Sequence, residues 1–128
     1  MTATTRVDAV PDRAAAGYLV GQAVVVLLWW GTVLFSQTVR TWFFPYGGLD
    51  PAFVAFFLPD VVFIVGGSLY VARRKLRGDA APGASGILLG AVGYGTLYTI
   101  VWTLLLQAPP GGAIAMAVLG IGTWRACR

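Results

Sequence analysis

Four long apolar runs, each near the thickness of a lipid hydrocarbon core, dominate this chain and restrict what it can fold into. They cover about residues 17–39, 52–72, 84–106 and 110–126. A helix rising roughly 1.5 Å per residue needs about 20 apolar residues to cross roughly 30 Å of hydrocarbon. The first three runs reach that length. The fourth reaches it only if its first turn includes Pro110 and its last Ala126. Composition agrees: 58% of the residues are hydrophobic and 11% charged, against about 25% charged in soluble domains. The expected fold is an all-α integral membrane protein. A disordered tail (residues 1–16) precedes a four-helix transmembrane bundle (residues 17–126).

The segments between the runs read as boundaries. Arg40 ends the first run, and Thr41 to Pro51 forms a turn dense in Trp42, Phe43, Phe44 and Tyr46, residues suited to headgroup depth. Asp50 followed by Pro51 is a helix start, because Asp caps free N–H groups and Pro has none to lose. Arg73, Arg74, Lys75 and Arg77 end the second run, and Pro109, Pro110, Gly111 and Gly112 separate the last two.

Orientation follows from Lys and Arg placement. Arg6, Arg13, Arg73, Arg74, Lys75, Arg77, Arg125 and Arg128 fall on one side of such a bundle, and Arg40 alone on the other. This predicts a multi-pass protein of the plasma (inner) membrane with both termini in the cytoplasm. The Arg73–Arg77 cluster fixes topology and meets anionic headgroups, each basic group gaining about 1 kcal/mol there. Membrane lipid, not nucleic acid, is the expected partner of the formal +4 charge.

The residues also argue against most chemistry. There is no histidine, and Cys127 is the sole cysteine. A Ser-His-Asp or Cys-His catalytic set is excluded. Zinc, haem and iron–sulfur sites, which need several Cys or His ligands, are not expected. No catalytic, metal or cofactor site is assigned, and the reading leans away from an enzyme.

Asp60 stands out, being the one acidic residue inside a run. A charged side chain there costs about 2.5–3.5 kcal/mol or more. No Lys, Arg or His shares its depth, so it must bind a proton or find hydrogen-bond donors. Depth matching places Thr32 and Ser36 of the first span, and Tyr98 and Thr99 of the third, in the same layer. Pro59 before it lacks an N–H and clashes with the Ala55 carbonyl, predicting a kink in the second span. A structural role, with Asp60 bonding a carbonyl freed by the kink, competes with a proton- or ligand-responsive role.

Small residues predict where helices approach. Gly86, Gly90 and Gly93 share one face of the third span, and Ala113 and Ala117 repeat the spacing in the fourth. That pattern suits packing within the bundle, a homo-oligomer or a larger membrane complex. Tyr94, Tyr98 and Trp102 form an aromatic stripe beside the glycines, with Thr96, Thr99 and Thr103 on the other side. Of the adjacent Trp29 and Trp30, one is expected to face the bundle, since neighbours in a helix differ by about 100°.

The layout, a short four-span bundle with a Pro-Asp pair in the second span, is similar to that of many small bacterial membrane proteins. Three functions compete. The first is a non-catalytic subunit, helper or scaffold. The second is a proton-coupled carrier or small apolar-ligand-binding protein centred on Asp60. The third is a lipid-modifying enzyme at an interface, using Arg40 and Asp50 or the Arg73–Asp79 segment.

Overall fold

The computed structural model describes residues 10–43 and 51–128. The expected tail up to residue 9, and the aromatic turn from Phe44 to Asp50 with its capping Asp, lie outside those residues. Among the described residues the regular structure is entirely helical.

Helix α1 runs Arg13–Phe35. It begins inside the expected tail because the Asp12 carboxylate accepts the Ala15 N–H at 2.9 Å, capping the first turn. At Ser36 the backbone turns extended, and the Ser36 hydroxyl accepts the Val39 N–H to start the short α2, Gln37–Phe43.

The next rod is built from pieces. Helix α3 is Pro51–Val54, a turn occupies Ala55 and Phe56, and α4 is Phe57–Pro59. A π-helical segment, Asp60–Gly66, leads into α5, Gly67–Leu76. The irregularity expected at Pro59 thus extends to both sides of it. The proline ring crowds the preceding turn and offers no N–H, so the helix opens before it and resumes with a wider turn after it.

Helix α6 runs Pro82–Leu106, entered through Ala81 and left through Gln107, both left-handed (φ 42° and 50°). Helix α7, Gly111–Cys127, closes the chain. α1 and α6 are each long and apolar enough to cross a membrane, while α7 is apolar but has 17 residues.

α1 packs on α5 and on α7, and α6 packs on α7 and on α5, so each rod touches two neighbours. The core between them holds Leu19, Val26, Trp30 and Val33 of α1, Val71 of α5, and Leu88 and Val92 of α6. The outside is also apolar: Leu28, Leu58, Leu97, Leu104 and Leu105 are each more than 60% exposed. Soluble monomers rarely leave so large a contiguous apolar surface bare.

One end of the assembly gathers the positive charge. The Asp12 N–H donates to the Lys75 carbonyl at 3.1 Å, joining the start of α1 to the end of α5. The end of α7 lies there too, Cys127 being close to Lys75 and to Tyr18. Arg13, Arg73, Arg77, Arg125 and Arg128 are all exposed at this end.

Candidate functional site

The site begins with the break before Pro59. The turn at Ala55–Phe56 lets Phe56 lie on Tyr98 of α6, with ring centroids 4.1 Å apart. Tyr98 continues into an aromatic column, 6.5 Å from Tyr94 and 6.0 Å from Trp102. One residue past the proline, Asp60 opens the π segment and points at α1. There the Trp30 indole N–H donates to its Oδ2 at 3.0 Å. Trp30 is 1% exposed and packs edge-on against Phe57 at 5.3 Å and against Trp29 at 4.9 Å. Irregular turns that re-aim one side chain often mark functional positions in helices.

Beside this pair lies a cavity of about 100 Å³. All four rods line it: Trp29 and Trp30 from α1, Phe56 and Asp60 from the second rod, Tyr98 and Thr99 from α6, and Met116 from α7. Asp60 is the one ionisable carboxyl among the described lining residues, and no Lys or Arg is among them. The Thr99 hydroxyl donates within its own helix, to the Thr96 carbonyl at 2.9 Å.

Of the polar layer expected from depth, the structure brings Asp60, Tyr98 and Thr99 to one cavity. It does not bring Thr32 or Ser36 there. Thr32 is exposed and donates to the Trp29 carbonyl, and Ser36 caps α2. Depth alone could not find the donor to Asp60: Trp30 reaches across because the π segment turns the carboxyl toward it. Both tryptophans line the cavity, Trp30 being the more buried.

A second polar cluster went unread in the sequence. Gln22 of α1 donates from Nε2 to Ser68 Oγ of α5 at 3.1 Å, and the Thr123 hydroxyl of α7 donates to Gln22 Oε1 at 2.6 Å. All three residues are at most 2% exposed. Close by, the Tyr18 hydroxyl donates to the Leu119 carbonyl at 3.0 Å. The available signal was Gln22 itself, an amide within an apolar run, which requires partners in a non-aqueous setting.

The small residues divide unexpectedly. A Cβ added at Gly86, Gly90 or Gly93 meets nothing within 4 Å, so these glycines are not points of close helix approach within the described chain. Close approach occurs instead at Gly122, where a Cβ would collide with the Tyr18 ring, and at Gly95, where it would meet the Met116 methyl at 2.8 Å. Ala113 and Ala117 on α7 are half-buried, and Ala117 borders a shallow groove shared with Gly93.

The basic cluster divides as well. Arg73 and Arg77 are exposed, Lys75 is buried, and Arg74 pairs with Asp79 and donates to the Tyr70 hydroxyl at 3.1 Å. The Ala81 N–H, with Arg74 second, holds the Asp79 carboxyl below its ordinary value, and Asp79 raises the Arg74 guanidinium in return.

Comparison with known proteins adds no relative: no protein-family model, curated protein or solved structure matches the chain.

Proposed function

We propose that this is a non-catalytic, multi-pass membrane protein that binds a small molecule in an interior site centred on Asp60. The observation that carries the reading is the cavity that Asp60 lines, with the Trp30 indole N–H donating to its carboxyl. A scaffold needs no space beside a half-buried acid; a binding site does. Binding sites in helical bundles characteristically lie between helices, with few polar groups in an apolar lining. The cavity therefore favours a ligand site over a purely structural role for Asp60.

Four spans with both termini cytoplasmic form the setting. The apolar exterior and the cationic end support it, because Lys and Arg collect on the cytoplasmic side. Arg73 and Arg77, the exposed pair of the basic cluster, are the residues we assign to anionic headgroups.

The test is chemical. Diisopropylcarbodiimide is small and apolar and modifies carboxylic acids reachable from an apolar phase. Applied to native membranes, it is expected to modify Asp60, detected by mass on the peptide carrying it, and to leave Asp60→Asn unmodified there. Carbodiimide reacts through the protonated carboxyl, so an Asp60 that stays unreactive in the native protein even at mildly acidic pH would mean that the carboxyl is sealed and the ligand-site reading fails.

A further inference from the structure

The lining of the cavity narrows the class of ligand. Among the described lining residues the one ionisable carboxyl is Asp60, and four aromatic side chains, Trp29, Trp30, Phe56 and Tyr98, line the same space. A ligand entering there must compensate a carboxylate withdrawn from water, to which the structure supplies the Trp30 N–H. An anion would be repelled, and a neutral apolar molecule would leave the carboxylate uncompensated. An inorganic cation would find one carboxylate where hard ions take about six oxygen ligands. A weakly hydrated organic cation meets both demands: its charge balances the carboxylate, and aromatic rings attract it through their quadrupoles. The size agrees, since about 100 Å³ admits only a small headgroup.

Resting on the ligand-site reading, we infer that the Asp60 cavity takes a small alkylammonium group, its nitrogen beside the carboxylate and its methyl groups against Trp30, Phe56 and Tyr98. Trp30 serves as a positioning residue, fixing Oδ2 while the carboxylate faces the cation.

The probe is tetramethylammonium, compared with neopentyl alcohol, a neutral molecule of similar shape. Both compete with carbodiimide modification of Asp60 in the full-length protein in native membranes. Tetramethylammonium is expected to slow the modification at least about tenfold more than the alcohol at equal concentration. Phe56→Leu, which removes a ring but keeps an apolar side chain, is expected to weaken that protection several-fold, measured as the ratio to the variant's own unprotected rate. Equal protection by the two probes overturns the cation inference and leaves a neutral ligand site standing. Modification that neither probe slows also overturns the inference, while the cavity reading survives. Failure of Asp60 to react without a competitor overturns both.

Discussion

Two polar clusters lie inside this bundle, and they differ in what surrounds them. Gln22, Ser68 and Thr123 join α1, α5 and α7 through 2.6 and 3.1 Å hydrogen bonds, with at most 2% of any of them exposed. Asp60 and Trp30 make one 3.0 Å hydrogen bond beside a cavity of about 100 Å³. The first cluster consumes its hydrogen-bonding capacity in holding helices together. The second keeps a carboxyl beside open space. A buried polar group does not announce its role by being buried; the room left around it decides whether it fastens or binds.

The sharpest way to break this comparison is to substitute one member of each cluster. Asp60→Asn is expected to abolish carbodiimide modification at residue 60 while changing stability by less than about 1 kcal/mol, because the amide oxygen still accepts from Trp30. Gln22→Ala is expected to cost about 1–3 kcal/mol in reversible denaturation from detergent, because it leaves Ser68 without its partner and removes the link to α7, Thr123 keeping only the Leu119 carbonyl of its own helix. Modification of Asp60 should continue in Gln22→Ala. If both variants lose stability equally, the two clusters are both structural.

A comparable contrast comes from one alanine placed in each region. Gly122→Ala drives a methyl into the Tyr18 ring beside the fastened cluster and is expected to cost about 1–3 kcal/mol. Gly95→Ala meets only the far end of Met116, a flexible side chain that can swing away, so a cost under about 1 kcal/mol is expected. Denaturation midpoints of the two variants in one detergent check the order. A reversal would show that the cavity side is the more tightly packed.

Gly90→Ala provides the baseline outside both clusters. Its added methyl meets nothing within 4 Å, so stability is expected to stay within about 0.5 kcal/mol of the parent. A change in oligomeric state on Gly90→Leu, read by detergent-corrected light scattering, would assign that face to a second copy of the chain.

The smallest effect belongs to the loop at the cationic end. Asp79 is held below its ordinary value of 3.8 in the folded protein, so it stabilises the fold at pH above that value. The contribution disappears as the pH falls through the lowered folded value. Asp79→Asn should therefore lower the melting midpoint slightly at neutral pH, and the difference should vanish in strong acid. A difference that persists there would place the effect outside the ionised carboxylate.

Much of the architecture was written in the sequence. Apolar run length locates helices, and Gly-Pro segments separate them, because both act locally through backbone sterics and transfer from water. α6 and α7 start and stop within a few residues of the expected positions, and Pro59 marks the irregular rod. Asp60 was legible as a residue that must find a partner, since an acid in an apolar run carries that demand wherever the run packs.

Its partner was decided only in three dimensions. Thr32 and Ser36 matched Asp60 in depth, but helix rotation turned them away and brought Trp30 across instead. The glycine face at Gly86, Gly90 and Gly93 looked suited to packing, yet the chain put its close approaches at Gly95 and Gly122. Hydrophobicity and chain stiffness are properties of neighbouring residues, so they can be read along a line. Which faces meet depends on how four rods rotate about their axes, which is set by all the side chains at once. The apolar helices are of the first kind; the Asp60 cavity is of the second, and only the packed molecule contains it.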